Sequence, residues 1–370
     1  MVNQLSFPVI SVQGTPYELG YQYGSQCKTL IEEVLDMYRA VFKREARLEW
    51  EQVLELSKKF IPFIEEYDPD AVEEMQGVAN GLGKTLEDIV AVNARTELSF
   101  LTMSGGIAEE LAKGGCTTLA ATSETTRNKH TLIGQNWDWY PAAQKALILL
   151  KKKKKGKPNC VTFVEAGLLG KGGLNSAGLG FVGNALATDK LRVGVPVNII
   201  TNKMLGAESL PDAIGMLLSA HRTSATNRLI ATADGECVDI EVATEGYDVI
   251  FPNDGVIAHT NHFTVSKPNV KDVFPSKYPN TFTRLHRAKK LLAAERGDIT
   301  TETFKKIFRD HLGKPNSICW HLDERLDEGQ RLQTNASIIM DLNKKAFHIA
   351  KGPPCENEYV ALDLKDIFEY

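Results

Sequence analysis

Apolar residues recur at helical spacing through the first third of the chain. Leu19, Tyr23, Leu30, Val34 and Tyr38 share one face of a helix running to about Phe42. Thr15-x-x-Glu18, with Pro16 between, marks its start as a capping box. Val53, Leu54, Leu56, Phe60 and Phe63 predict a second helix over Trp50–Tyr67, ended by Asp68-Pro69. Ala71, Met75, Val78 and Ala79 predict a third that stops at Gly81, and Thr85-x-x-Asp88 opens a fourth. From about residue 115 the pattern shortens to β-branched runs between Gly, Asn and Asp turns. Strands are predicted at Cys116–Thr122, Thr131–Trp137, Ala146–Lys152, Cys160–Glu165, Leu179–Val182, Arg228–Ala233, Cys237–Val242, Val256–Thr260, Ser337–Asp341 and Ala346–Ala350. Helices return at Leu210–Ala220, Thr281–Ala294 and Thr301–Asp310. Such an order predicts layered sheets with helices before and between them rather than regular βαβ units. No linker or internal repeat divides the 370 residues, so one domain is expected.

Charge narrows the function classes. Lys and Arg number 43 against 47 Asp and Glu, a formal charge of −4, which excludes a generally basic nucleic-acid binder and an acidic disordered chain. No apolar run approaches the ~18 residues of a membrane span. The start, Met-Val-Asn-Gln-Leu-Ser-Phe-Pro, lacks a basic segment followed by an apolar run, and the end, Ile-Phe-Glu-Tyr, matches no peroxisomal or prenylation signal. A cytoplasmic protein with free thiols, bound to neither membrane nor nucleic acid, is the expectation. Its six cysteines include no C-x-x-C pair, so neither a metal nor another cofactor is expected.

Three motifs carry blander readings. The run Lys151–Lys155 beside Gly156 and Pro158 reads as a solvated hairpin tip. Gly178-x-Gly180-x-x-Gly183 has the dinucleotide spacing, but no clear strand precedes it and Lys203 stands where an acidic residue is required. His259-x-x-His262 has no carboxylate or Cys at ligand spacing beside it, so a structural role is expected.

Cys116 is the chemical candidate. It follows Gly114-Gly115 where helix-rich sequence gives way to strand-rich sequence. A chain cut there would begin with a Cys bearing its own α-amine. That amine, with a pKa near 8, can exchange a proton with a thiol near 8.5, so one residue supplies nucleophile and base.

Gly114-Gly115-Cys116-Thr117-Thr118 and Gly134-Gln135-Asn136-Trp137-Asp138-Trp139 resemble the self-cleaving acyltransferase family typified by acyl-coenzyme A:6-aminopenicillanic acid acyltransferase (isopenicillin N acyltransferase), among the N-terminal nucleophile hydrolases. The likeness continues through Glu165-Ala166-Gly167-Leu168-Leu169-Gly170-Lys171, Gly173-Leu174-Asn175-Ser176-Ala177-Gly178, Gly183-Asn184-Ala185-Leu186, His259-Thr260-Asn261-His262-Phe263 and Gly352-Pro353-Pro354-Cys355. Near the start it includes Gly14 to Gly24 and Glu74-Met75-x-Gly77-x-Ala79-x-Gly81.

The resemblance implies an α+β fold, a four-layer αββα sandwich. It implies self-cleavage between Gly115 and Cys116, giving a helical 1–115 segment and a 116–370 segment that stay together as a heterodimer. Cys116 would attack first the Gly115 carbonyl and then the acyl carbonyl of a small N-acyl amine, such as a β-alanyl amine or an acylated β-lactam nucleus, or of an acyl-CoA. Asp138 would orient the nucleophile, Asn261 would donate to the oxyanion, and Asn184 matches a site Asn of related bile-salt hydrolases. One departure is visible. Several relatives carry an Arg after Ser-Ile-Cys, where this chain has Trp320 after Ser317-Ile318-Cys319. Trp320 would then wall an acyl pocket, with Arg325 or Arg331 as possible substitutes for the missing cation. Two rivals remain at this stage: a papain-like Cys–His hydrolase that never matures, and a non-catalytic binding protein on a decayed fold.

Overall fold

The computed structural model describes residues 7–103, 115–266 and 270–364. Gly114, Met1–Ser6 and the final Ile-Phe-Glu-Tyr lie outside them. The chain opens with strand β1 (Val9–Gly14) and then seven helices: α1 (Pro16–Gln26), α2 (Lys28–Glu45), α3 (Trp50–Ser57), α4 (Ile61–Tyr67), α5 (Pro69–Leu82), α6 (Leu86–Asn93) and α7 (Arg95–Met103). The helix expected from Thr15 to Phe42 is two helices, parted at Cys27. That expected over Trp50–Tyr67 is also two, joined by a tighter turn at Lys58–Phe60. The predicted capping boxes form at Thr15 and Thr85, whose side chains accept from Glu18 and Asp88 backbone N–H groups.

Strands follow: β2 (Gly115–Ala121), β3 (Leu132–Trp139), β4 (Leu147–Lys154), β5 (Cys160–Glu165), β6 (Gly172–Asn175) and β7 (Leu179–Val182). After α8 (Val197–Met204) and α9 (Leu210–Ser219) come β8 (Thr226–Thr232), β9 (Cys237–Val242), β10 (Tyr247–Ile250) and β11 (Val256–His259). The chain closes with α10 (Phe274–Lys277), α11 (Asn280–Ala294), α12 (Thr301–Phe308), β12 (Gln333–Asp341), β13 (Ala346–Lys351) and β14 (Val360–Asp363).

Two sheets result, an eight-stranded one in the order β1-β4-β5-β6-β7-β8-β9-β10 and a six-stranded one in the order β11-β2-β3-β12-β13-β14. Side-chain alternation sets the layers. Ile148 and Leu150 of β4 face the helices α1–α9, while Leu147 and Leu149 face the second sheet. On β2, Ala120 faces the first sheet, while Leu119 and Ala121 face Leu285, Phe304 and Phe308 of α11 and α12. The order helix, sheet, sheet, helix is the expected αββα sandwich. Among the described residues no helix is long and apolar enough to cross a membrane.

Two expectations are corrected. The first segment is not all helical, since β1 adds in parallel to β4. The lysine run is not a solvated tip. Its first four residues lie on β4, and alternation turns Lys152 inward, where it is fully buried. Its ammonium pairs with Glu74 of α5 and donates to Leu169 O at 2.8 Å and Asn202 Oδ1 at 3.0 Å.

The glycines of the amino-terminal motif have a packing reason. A Cβ on Gly20 would stand 1.9 Å from Glu74 O, and one on Gly77 would stand 2.3 Å from Tyr17 O. Backbone of α1 thus lies directly on backbone of α5, and only hydrogen fits. Gly20→Ala is expected to destabilise the protein by about 3 kcal/mol, the upper end for overpacking. A denaturant titration that leaves the midpoint unchanged would contradict this.

Candidate active site

Strands β2 and β3 run antiparallel with Gly115 opposite Asp138 and Cys116 opposite Trp137. This register places the predicted nucleophile and the predicted carboxylate side by side. Cys116 is buried and lines an open cleft with about 690 Å³ of empty space, part of it open solvent, together with Gly115, Gln135, Trp137, Asp138, Trp139, Lys171, Asn184, Arg228 and Asn261.

The backbone of Cys116 is held on both sides. Its N–H donates to Asn261 Oδ1 at 2.9 Å. Its carbonyl accepts from Arg284 Nη1 at 2.7 Å, and Arg284 Nη2 donates to Asn261 Oδ1 at 2.9 Å. Two donors on one oxygen fix the orientation of the Asn261 amide, because the reverse would set its NH2 against both. Asn261 Nδ2 donates to Ala185 O at 3.0 Å. In the uncut strand Asn261 therefore acts as an acceptor on the Cys116 nitrogen. One Nδ2 hydrogen remains beyond the bond to Ala185.

Asp138 is wholly buried. Thr334 Oγ1 donates to its Oδ1 at 2.6 Å, and its Oδ2 has no partner. That free oxygen lies where a Gly115 Cβ would stand 2.9 Å from it, so the carboxyl sits against the residue before Cys116. Burial pushes its pKa up to about 7, against the opposing pull of Arg284 and the Thr334 hydrogen bond. Burial and the Asp138 charge push the Cys116 thiol up to about 11, opposed by Lys171, the Asp138 backbone N–H and Gln135.

Asn184 follows β7 and is fully buried. Its Nδ2 donates to Thr118 Oγ1 at 3.0 Å, and its Oδ1 has no partner. Trp320 does not line the cleft. Its ring packs against Gly115, where a Cβ would meet it at 2.6 Å, and under the Arg284 guanidinium at 5.4 Å. Gly115 must be glycine because Trp320 and Asp138 fill the side-chain space. Neither suggested arginine reaches the nucleophile. Arg325 pairs with Asp323, and Arg331 donates to Leu326 O and Glu324 O.

The cation at the nucleophile is instead Arg284, which the sequence reading missed. A signal existed, since it occupies the buried stripe of α11 with Thr281, Leu285, Ala288 and Leu292, where an apolar residue is the rule. Lys171, the last residue of the Glu165–Lys171 motif, is a second, largely buried cation at the cleft. It lies 3.5 Å from the Trp137 ring centroid and 3.5 Å from Glu165, and burial lowers its pKa to about 7. Arg228 is also buried in the cleft wall. Its Nη1 donates to Thr226 Oγ1 and Asn227 O, while its Nε has no partner.

Among the described residues no histidine lines the cleft. His259 is sequestered by Glu241 at 2.8 Å and Thr260 O at 2.8 Å, and His262 by Thr281 Oγ1 at 2.8 Å. The carboxylate that seemed absent beside His259 arrives from β9. The Gly178–Gly183 run is a turn and a strand in which a Cβ on Gly180 would press into Leu342 and Ile133.

A buried thiol beside an unpartnered carboxyl oxygen, in a cleft with both apolar and cationic walls, is an arrangement suited to acyl chemistry. The chain belongs to the acyl-coenzyme A:6-aminopenicillanic acid acyl-transferase family, whose model matches residues 125–354. That span holds Asp138, Asn184, Asn261 and Arg284 but begins after Cys116. The chain is also similar to the 40 kDa form of acyl-coenzyme A:6-aminopenicillanic-acid-acyltransferase of Emericella nidulans, 29% identical over 348 residues, which are 93% of this chain and 92% of the relative. Among solved structures, a conjugated bile acid hydrolase from Clostridium perfringens aligns with a TM-score of 0.47 and 15% identity, covering 68% of this chain and 93% of that one. A penicillin V acylase from Agrobacterium tumefaciens aligns with a TM-score of 0.45 and 11% identity, covering 68% and 86%.

Proposed function

We propose that the chain is a self-processing cysteine acyltransferase or amidohydrolase, with Cys116 as nucleophile in both the cut and the turnover. The double clamp on the Cys116 backbone beside an unpartnered Asp138 oxygen is the observation that carries this reading. No α-amine exists at Cys116 before the cut, so another group must move the proton. Asp138, whose pKa burial raises to about 7 and whose carboxyl sits against Gly115, is the proposed carrier. The thiol passes its proton to Asp138, and the sulfur adds to the Gly115 carbonyl carbon. The bond to the Cys116 nitrogen breaks, and that nitrogen takes the proton from Asp138. Water then opens the thioester, leaving a Gly115 carboxylate and a free Cys116.

In the mature enzyme the new amine inherits the hydrogen bond to Asn261 Oδ1. It then takes the thiol proton when the sulfur attacks a substrate acyl group, and returns it to the leaving amine or thiol. The spare Asn261 Nδ2 hydrogen is the donor proposed for the oxyanion. Hydrolysis needs only water for the second half, while transfer needs an amine seated in the cleft.

The cleft wall indicates the substrate class. Trp137, Trp139 and Phe100 offer apolar surface, while Arg95, Lys171 and Arg228 offer positive charge. Arg95 and Lys171 already face Glu165. Among the described residues Arg228 has no ion pair, and its Nε is free. An apolar acyl group joined to an anionic moiety, as in an N-acyl amino acid or an acyl-CoA, fits both features. Incubating mature protein with N-acyl amines and acyl-CoAs, followed by acid quench and intact mass, should show an acyl adduct on the Cys116 fragment. If no amide or thioester acylates Cys116, the reading fails. Arg228→Gln is expected to raise KM for anionic substrates about tenfold, the loss of one charge-assisted hydrogen bond, with kcat little changed.

A further inference from the structure

We propose that His311, Cys319, His321 and Cys355, none of which lines the cleft, form a tetrahedral zinc site. Their four ligand atoms lie within 4.8 Å of one another. The sulfurs of Cys319 and Cys355 are 3.6 Å apart, and the Nε2 atoms of His311 and His321 are 3.1 Å apart. His321 Nε2 is 3.5 Å from Cys319 Sγ and 3.4 Å from Cys355 Sγ. Zinc–sulfur bonds of about 2.3 Å and zinc–nitrogen bonds of about 2.05 Å require tetrahedral edges of about 3.8 Å between sulfurs, 3.4 Å between nitrogens and 3.5 Å between unlike atoms. Four edges here match those lengths within a few tenths of an ångström.

Hydrogen bonding alone does not satisfy the cluster. His321 Nε2 faces three neighbours with a single lone pair, so it can accept from only one of them. A cation at the centre takes a lone pair from all four ligands at once, with both thiols losing their protons to solvent. The other side of His321 supports this. Its Nδ1 lies 3.3 Å from a Glu356 carboxylate oxygen, the arrangement that orients a metal-bound imidazole. Cys319 and His321 are buried, and His311 is exposed, which leaves an entry path. The spacing escapes a search for C-x-x-C because the ligands come from two segments far apart in sequence.

The site would pin the loop that carries Trp320. Cys319 and His321 flank that residue, whose N–H donates to Thr334 Oγ1 at 2.9 Å, and Thr334 in turn holds Asp138. Binding of zinc thus positions the Trp320 ring and the Asp138 carboxyl without touching substrate.

The test is metal analysis of the full chain, purified without a histidine tag under reducing conditions and equilibrated with micromolar zinc. Near-stoichiometric zinc is expected. Cobalt substitution should give thiolate charge-transfer and tetrahedral d–d bands. Cys319→Ser/Cys355→Ser should lose both, and His311→Gln, altered at the surface, should weaken zinc retention at least tenfold while the fold measured by circular dichroism persists. Wild-type protein that emerges free of zinc overturns the proposal. So does a native disulfide between Cys319 and Cys355 in a non-reducing digest. Metal content is read equally in cut and uncut protein, so failure here is separable from failure of self-cleavage.

Discussion

Freshly purified protein is expected to give two masses, a fragment ending at Gly115 and one beginning at Cys116, while Cys116→Ala gives a single uncut chain. The difference is complete rather than graded, because no neighbouring group replaces the sulfur. Among the described residues the cleft contains no second thiol and no histidine to activate water. The substitution removes one atom from a buried position on a strand whose backbone bonds stay in place. Ala at this site keeps the N–H to Asn261 and the carbonyl to Arg284, so the variant should fold with wild-type secondary structure and cooperative melting. Loss of cutting is then chemical. Fragments from Cys116→Ala would refute self-cleavage by this sulfur, and one full-length mass from wild type after long incubation would do so as well. The uncut variant should also fail to form any acyl adduct, since turnover and maturation use the same atom.

How much of this was written in the sequence differs between elements. The strands of the inner core were legible because residues such as Leu147–Leu150 and Val161–Val164 form short apolar runs. Cys160–Glu165 and Leu179–Val182 match their predicted bounds. The edge strands β1, β10 and β14 and the glycine-rich β6 were not legible, although the edge strand β11 was. β6 is Gly-Gly-Leu-Asn, with little β propensity; it is a strand through its pairing with β5 and β7, and Gly173 is needed there because a Cβ would strike Val161 O at 2.0 Å. β14 (Val-Ala-Leu-Asp) and β10 (Tyr-Asp-Val-Ile) are partly exposed edges whose sequences do not alternate apolar with polar residues. The site divides in the same way. Cys116, Asp138 and Asn261 lie within local motifs and could be named. Arg284 shows only as a cation in the apolar stripe of α11; its role was not legible, because it depends on the approach of α11 to the start of β2, a contact between residues 168 positions apart. Trp320 shows the opposite failure. Its position in a motif was visible, but not where the loop between α12 and β12 sends its ring, which supports Gly115 and Arg284 from behind the cleft.

Asp138→Asn is expected to slow self-cleavage by about 10²–10⁴, the range for removing a positioned proton carrier. Asn retains an oxygen for the Thr334 hydroxyl, so the local hydrogen bond survives and only proton transfer is lost. In wild type, accepting the thiol proton requires the carboxylate form, and burial places its pKa at about 7. The cutting rate should therefore rise with pH through about 7 and level off above it, and the Asn variant should lack that inflection. Lys171 also titrates near 7, and its neutral form could serve as a base. Its ammonium is instead held between Glu165 and the Trp137 ring, so Lys171→Met should retain the inflection. Stability moves the other way. A carboxyl raised from 3.8 to about 7 binds more protons in the native chain than in the unfolded one over that interval. Native stability accordingly falls as pH rises from about 4 to about 7, by a few kcal/mol. The Asn variant is spared this loss and should match or exceed wild-type thermal stability at pH 8, where wild type cuts fastest. A variant that folds better and cuts far more slowly places Asp138 in the chemistry. One that cuts at the wild-type rate would move the proton to another group.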